Sequence, residues 1–137
     1  MAVASILPHL TVGPYEEALS PPEEIDALLN VAEEHPLPET DRVARKVPMT
    51  DMQPIPVDQL EAAVRWIDRH IGDHHIYLFC NAGVGRSPSV AVAYLCCVRD
   101  QSFGEAVEHV ARRKPNMSTL PNPIERIESI RARLNPA

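Results

Sequence analysis

One short segment of the sequence combines a nucleophile with groups that bind anions. Five residues separate Cys80 from Arg86, and Gly83 and Gly85 lie between them. Glycines permit the positive φ angles that turn successive backbone N–H groups inward, and a guanidinium can hold two oxygens of an anion at once. Positive groups around a cysteine favour its thiolate, which is the nucleophilic form. The segment therefore predicts covalent attack on a bound oxyanion, such as a phosphate ester.

The residues after the cysteine are the predicted phosphate-binding groups. This role falls to the amides of the loop and the guanidinium that ends it: Asn81, Ala82, Gly83, Val84, Gly85 and Arg86. Ser87 follows directly and is placed to hydrogen-bond the sulfur. That hydrogen bond would ease departure of the thiolate when a phosphoenzyme is hydrolysed. The predicted catalytic groups of the segment are therefore Cys80, Arg86 and Ser87.

The loop lies between two apolar segments that would hold it in place. Ile76–Phe79 is a short apolar run with aromatic and β-branched residues, which predicts a buried central strand. After the loop, Ser87 can cap a helix and Pro88 can occupy its first turn, and this helix would run to about Arg99. Because the helix is apolar nearly all round, it should be buried. The unpaired N–H groups at its start would favour an anion at the loop.

The residues before the loop predict short strands and one short helix. Ile6-Leu7 and Leu10–Val12 indicate two strands joined by a tight turn. A capping-box pattern predicts a helix from about Pro22 to Leu28, and Leu29–Ala32 then follows as a buried strand. Val43–Val47 alternates weakly and predicts a further strand. Together with the strand before the loop, these segments can form one sheet.

Amphipathic helices are predicted around these strands. From Val57 to Ile71 the apolar residues recur at steps of three and four. Ser102 opens a capping box and so begins a second helix. Asn122-Pro123 opens a third, whose predicted inward side chains are Ile124, Ile127 and Leu134. The whole chain therefore fits one domain with one core.

The segment CNAGVGRS at residues 80–87 resembles the Cys-x5-Arg-Ser signature of the protein tyrosine phosphatases, in their compact dual-specificity branch. The resemblance extends over most of the chain and includes ILPHLTVG, LLNVAEE, VPMTDMQ, SPSVAVAYL and RKPNMSTLPN. It implies an α/β fold with a single domain over residues 1–137, in which helices flank a mixed central sheet of about five strands. It also implies a phosphocysteine intermediate, and neither a metal nor another cofactor.

The same resemblance implies a general acid upstream of the signature. In the family, an aspartate on a mobile loop protonates the leaving oxygen, and Asp51 in VPMTDMQ matches that place, 29 residues before Cys80. Asp58 is the rival carboxylate, but it begins a predicted helix, where a negative charge is favoured by the helix dipole. The acid is therefore assigned to Asp51.

Residue 79 departs from the family pattern. The family usually has histidine directly before the nucleophile, where it supports the loop and the thiolate, whereas this chain has Phe79. Phenylalanine can pack well but supplies no hydrogen bond. We therefore predict a less stabilised thiolate and slower turnover than in typical relatives.

Several other residues have alternative interpretations. Cys96 and Cys97 lie on the apolar helix and are predicted core residues, although a thiol that traps the oxidised nucleophile is the alternative. The basic run Arg112–Lys114 fits a solvated helix end, or else a rim that recognises a second phosphate. Trp66 lies off the apolar stripe of its helix and could cover an edge of the core or contact a partner. His35 is interpreted as an ordinary surface or core residue.

Composition and charge exclude several classes of protein. The chain has 137 residues and a formal net charge of −6, which gives no general attraction to nucleic acid or to an anionic membrane. No apolar run approaches the length of about 18 residues that a membrane helix needs, and the N-terminus lacks the features of a signal peptide. The sequence therefore predicts a soluble, cytoplasmic protein, which we expect to be a monomer.

The leading functional hypothesis is hydrolysis of phosphate monoesters. A short chain without added loops would form a shallow pocket that admits phosphoserine and phosphothreonine as well as phosphotyrosine. The expected partners are a phosphorylated protein, a small phosphate ester, or a phosphate- or sulfate-like anion. One alternative is a pseudophosphatase that binds phosphate with little or no turnover. Another is a phosphatase for a non-protein substrate, such as a phosphoinositide or a phosphoglucan.

Overall fold

A computed structural model describes residues 3–134 of the chain. Within that range, strands dominate the first half and helices dominate the second. In chain order the elements are β1 (Ala4–Leu7), β2 (Leu10–Pro14), α1 (Tyr15–Ala18), β3 (Ala27–Ala32), β4 (Val43–Met49), α2 (Val57–His70), β5 (Ile76–Cys80), α3 (Arg86–Cys97), α4 (Phe103–Arg113) and α5 (Pro123–Leu134). None of these helices is long and apolar enough to cross a bilayer.

The sheet places β5 at its centre. The strand order is β1-β2-β5-β3-β4, with β1 antiparallel to β2 and the other neighbours parallel. The predicted mixed sheet of an α/β fold is therefore confirmed. In parallel sheets the carboxyl ends of the strands meet at one edge, where ligands usually bind. Because β5 ends at Cys80, the loop begins at this edge.

The two faces of the sheet are covered unequally. Side chains alternate along a strand, so Leu78 and Cys80 face one side of β5 while Tyr77 and Phe79 face the other. The first side carries the large core, into which helices α2 to α5 pack. Every residue of α3 is buried, as its apolar sequence predicts. The second side carries a small cluster: Ala18, Ile25, Leu28, Tyr77 and Phe79.

Residues 22–28 do not form the predicted helix. The helix of this region is instead α1, and Ala27 and Leu28 belong to β3. Leu28 pairs with Tyr77 of β5 on one side and with Ala44 of β4 on the other. The prediction failed because strand pairing on both sides, together with complete burial, outweighs a local capping signal.

Smaller corrections concern the ends and faces of other elements. α3 begins at Arg86 after Gly85, so Ser87 lies inside the helix and is not its cap. β4 extends through Pro48, which an edge strand tolerates because one side of it has no partner strand. Ile124 is exposed on α5, although an inward position was predicted. Its place at the start of the helix lets it face solvent while later residues fill the core.

Two residues that have alternative interpretations from the sequence are buried in the structure. Trp66 is almost fully buried within the large core, which supports its interpretation as a cover for the core. Lys114, the last residue of the basic run, is also buried, so the run is not simply a solvated helix end. Arg112, by contrast, is exposed and pairs with Glu108 one turn earlier on α4.

Candidate active site

The loop between β5 and α3 turns sharply at Gly83. This residue has a φ angle of +74°, and a Cβ added there would lie 2.5 Å from the carbonyl carbon of Gly13. Only glycine fits such an approach. Gly85 differs from the expectation of a positive angle, because its φ is −114°. A Cβ on Gly85 would lie 3.6 Å from Asp51 Oδ1, so this end of the loop lies beside the predicted acid.

The carbonyl groups of the loop are held from outside. The Asn81 carbonyl accepts a hydrogen bond from the Tyr15 N–H at 3.0 Å, and the Val84 carbonyl accepts one from the Ser118 N–H at 2.8 Å. Within residues 3–134, the N–H groups of residues 81–85 donate to no protein acceptor. A turn with anchored carbonyls and available amides is the arrangement that an anion site needs.

Cys80 lines a hollow in front of the loop. The hollow has a volume of about 430 Å³, and Asp51 and Arg86 line it as well. The Ser87 hydroxyl lies 3.2 Å from the Cys80 sulfur, and the Ser87 N–H donates to the same sulfur at 3.5 Å. The first turn of α3 therefore supplies two hydrogen-bond partners to a sulfur that borders the hollow.

Arg86 is held by a carboxylate that the sequence analysis did not single out. Nη1 and Nη2 each donate to one oxygen of Glu34 at 2.6 Å, and Nη1 also donates to the Met49 carbonyl at 3.0 Å. The hydrogen bond with Arg86 lowers the pKa of Glu34 to about 2, and the same contact raises the pKa of Arg86. The buried Nε donates to no acceptor in the described part of the chain. Glu34 thus fixes the guanidinium and leaves its Nε–Nη2 edge for an anion.

Asp51 is the carboxylate that shares the hollow with the predicted nucleophile. Its Oδ1 accepts the N–H of Met52 at 3.0 Å and lies 3.8 Å from Arg86 Nε. The chain bends directly after it, since Met52 has a φ angle of 63°. Asp58, the rival, accepts a hydrogen bond from Arg133 at 3.0 Å on the surface of α2. The geometry therefore favours Asp51 as the acid.

Two stacked rings stand beside the loop. The ring centroids of Tyr15 and His35 lie 3.8 Å apart, with an angle of 6° between the planes. His35 Nε2 donates to Asn81 Oδ1 at 2.8 Å, and Asn30 Nδ2 donates to the His35 carbonyl at 2.8 Å. His35 is therefore more than an ordinary surface residue, because its ring contacts the loop at Asn81 while Asn30 of β3 holds its carbonyl.

Glu34 and His35 are site residues that the sequence analysis missed. They are the second and third residues after β3, in the segment VAEEH. β3 is the parallel neighbour of β5, so the residues that follow these two strands emerge at the same edge of the sheet. The adjacency of a buried strand and a Glu-Glu-His segment is the signal that could have found them.

The other two thiols lie apart from this arrangement. Cys96 and Cys97 are buried at the end of α3, which confirms their prediction as core residues. Burial raises the pKa of both thiols, that of Cys97 to about 12. Phe79 is also fully buried, and its ring stacks on Tyr77, 5.4 Å between centroids, on the opposite face of the sheet from Cys80.

Comparison with known sequences gives a match over most of the chain. The family described as dual specificity phosphatase, catalytic domain, matches residues 14–130. Dual specificity protein phosphatase 8 from Homo sapiens is 26% identical, and the protein of the same name from Mus musculus is 25% identical. Each alignment covers 86% of this chain, which spans 20% of the human relative and 19% of the mouse relative.

Solved structures share the fold. Tk-PTP in its active form has a TM-score of 0.82 at 23% identity, covering 96% of this chain and 97% of that chain. Human DUSP28 has a TM-score of 0.83 at 20% identity, covering 98% and 95% of the two chains. PTPMT1 in complex with PI(5)P has a TM-score of 0.81 at 18% identity, covering 98% and 97%. At these identities the likeness establishes the architecture.

Proposed function

The chain belongs to the dual-specificity branch of the cysteine-based phosphatases, and from that premise we propose that residues 1–137 form one catalytic domain that hydrolyses phosphate monoesters. The observation that carries the proposal is the bonding of Arg86. Glu34 and the Met49 carbonyl occupy three of its five N–H groups, and the remaining two form one edge that includes the buried Nε. A buried donor edge of this kind needs an acceptor, and the hollow beside it is lined by Cys80.

The first step of the proposed reaction transfers the phosphoryl group to sulfur. The Cys80 thiolate attacks phosphorus with its electron pair, so that an S–P bond forms and the bond from phosphorus to the ester oxygen breaks. Asp51 gives its proton to that oxygen, and the alcohol or phenol leaves neutral. The amides of residues 81–85 and the free edge of Arg86 bind the phosphoryl oxygens while charge redistributes.

The second step returns the enzyme to its starting state. A water molecule attacks phosphorus and gives its proton to the Asp51 carboxylate. The S–P bond breaks, inorganic phosphate forms, and the electron pair returns to the sulfur. The Ser87 hydroxyl, 3.2 Å from that sulfur, donates to the departing thiolate. One water is consumed for each ester cleaved, and Asp51 regains the proton that it gave in the first step.

The lining of the hollow favours a single phosphate on an amino-acid side chain. Among the described residues that line it, Asp51 and Arg86 are the charged ones, and the walls include Met52 and Leu120. Apolar walls suit phosphotyrosine and phosphorylated serine or threonine in proteins, which are the proposed substrates. A phosphoinositide is the second candidate, since PTPMT1 in complex with PI(5)P shares the fold; a phosphoglucan is kept as an alternative from the sequence alone. A single lining cation offers few favourable contacts to a headgroup that carries more than one phosphate.

A substrate panel with three variants tests the proposal. The panel contains phosphopeptides, PI(5)P, a phosphoglucan and p-nitrophenyl phosphate. Cys80→Ser should abolish turnover of every substrate. Asp51→Asn should lower kcat about 100-fold for phosphoserine peptides and less for p-nitrophenyl phosphate, whose leaving group needs less protonation. Asp58→Asn is the matched control and should stay within about twofold of wild type.

Each alternative has a distinct outcome in the same panel. Turnover that survives Cys80→Ser would reject the nucleophile, and equal losses in Asp51→Asn and Asp58→Asn would reject the acid. Binding of phosphate without turnover of any substrate by wild type would identify a pseudophosphatase. Faster hydrolysis of PI(5)P or phosphoglucan than of every phosphopeptide would reject the protein substrates.

A further inference from the structure

A second hollow lies next to the catalytic one. It has a volume of about 520 Å³ and is lined by Pro14, Tyr15, Glu16, Asn81 and Ala82. Ala82 also lines the catalytic hollow, so the two share a wall within the predicted phosphate-binding loop. A residue next to the phosphorylated one in a substrate would therefore reach the second hollow while the phosphate occupies the loop.

The aromatic wall of the second hollow is fixed before a substrate arrives. His35 covers one face of the Tyr15 ring, with 3.8 Å between the centroids, and its Nε2 donates to Asn81 Oδ1. The Tyr15 N–H donates to the Asn81 carbonyl at 3.0 Å. Because ring and backbone are both anchored, a group that packs against the remaining surface of Tyr15 pays little ordering entropy.

The charge in this hollow is negative. Glu16 is exposed, and its carboxylate forms no ion pair or hydrogen bond with another residue in the range 3–134. His35 stacks on the Tyr15 ring, and Phe79 lies 6.3 Å from it between centroids, so the attraction for a cation comes chiefly from the Glu16 carboxylate, with the exposed part of the ring beside it. The net charge of −6 adds a weaker attraction for basic segments of a substrate.

We propose that the hollow bounded by Tyr15 and Glu16 binds a lysine or arginine side chain next to the phosphorylated residue of a substrate protein. The inference rests on the proposed function and names its substrate class, which is phosphoproteins with a basic residue beside the phosphate. The cation lies between the Tyr15 ring and the Glu16 carboxylate. An acidic residue in the same position meets like charge and is disfavoured.

Paired phosphotyrosine peptides test this subsite. The members of each pair differ only by lysine or glutamate at one of the two positions before or after phosphotyrosine, and kcat/KM is measured for each. In wild type, at least one pair should favour lysine by about fivefold, and Glu16→Gln should reduce that preference to about twofold or less. Glu17→Gln is the matched control, because Glu17 is the neighbouring exposed carboxylate but lines a different hollow with His75 and Tyr77.

The result for each pair is the ratio of kcat/KM for its lysine and glutamate peptides. An effect of a substitution on the chemical step changes both values equally and leaves this ratio unchanged. Equal loss of preference in Glu16→Gln and Glu17→Gln would assign the effect to overall charge and overturn the subsite. Equal kcat/KM for the lysine and glutamate peptides at all tested positions would overturn it as well. Hydrolysis of p-nitrophenyl phosphate by the same wild-type preparation separates these results from failure of the proposed function, which would remove that activity too.

Discussion

The three cysteines of the chain lie at or beside the two ends of α3, in different surroundings. Cys80 lies beside the first turn, where Ser87 contacts its sulfur and the helix dipole is positive. Cys96 and Cys97 lie in the last turn, where the dipole is negative and burial raises the pKa of both thiols. Exposure does not separate them, since Cys80 is 2% exposed and Cys97 is 7% exposed. The comparison teaches that similar exposure hides different surroundings: the start of a helix offers hydrogen-bond partners to the Cys80 sulfur, whereas Cys96 and Cys97 are packed in the core.

Rates of alkylation should show the largest difference among the three buried thiols. At pH 7, iodoacetamide should modify Cys80 at least about 100-fold faster than Cys97. A thiol with a pKa of about 12, such as that of Cys97, is ionised to only about one part in 10⁵ at this pH. Timed labelling followed by mass spectrometry of proteolytic peptides measures the three rates separately.

Inorganic phosphate supplies the control for the labelling experiment. Phosphate bound in the loop should protect Cys80 and leave the rates of Cys96 and Cys97 unchanged. Labelling of Cys97 at a rate close to that of Cys80 would contradict the contrast between the two ends of α3. Labelling of Cys96 ahead of Cys80 would favour the alternative of a second reactive thiol.

Glu34 sharpens the comparison, because its ion pair orders the first end of α3. Glu34→Gln keeps the shape of the side chain but removes the charge and one acceptor oxygen, so Arg86 should lose its fixed orientation. We expect kcat/KM for p-nitrophenyl phosphate to fall about tenfold. Glu33→Gln removes the same charge from the neighbouring exposed residue and should change kcat/KM by less than about twofold. A rise in kcat/KM for Glu34→Gln would mean that Glu34 competes with the substrate.

The same variant has a second readout in the pH dependence of stability. Arg86 lowers the pKa of Glu34 from 4.5 to about 2, so the ion pair adds stability above about pH 4.5 and loses it as the pH falls toward 2. The free energy of unfolding of wild type should exceed that of Glu34→Gln at neutral pH, and the gap should close over this window. Because the Glu34 side chain is 44% exposed, screening limits the gap to about 1 kcal/mol. Urea titrations measure it, and a gap that persists at pH 2 would contradict the assignment.

The loop could be predicted from the sequence because its residues lie next to one another. The residues that hold it in place could not be predicted, because they are distant in the sequence. Cys80, Gly83 and Arg86 lie close in sequence, and the apolar segments on either side indicate a strand and a helix. Glu34 and Arg86 are 52 residues apart and meet only because β3 and β5 are neighbours in the sheet. The helix predicted over residues 22–28 failed for the same physical reason, since strand pairing with distant residues outweighed a local signal.

Substitution of residue 79 should have the smallest effect on turnover. It tests whether the groups at the first end of α3 are sufficient for activity. Phe79 directly precedes the nucleophile, but its ring faces the opposite side of the sheet from Cys80 and stacks on Tyr77 at 5.4 Å. The family pattern predicts slower turnover with Phe79, but the placement of residue 79 on the face opposite Cys80 revises that expectation. Phe79→His should raise kcat by no more than about threefold, and burial of its imidazole among apolar groups should lower the Tm. Phe79→Leu, which stays apolar, controls for lost ring packing. A gain in kcat of about tenfold or more in Phe79→His, but not in Phe79→Leu, would show that residue 79, rather than the end of α3, limits turnover.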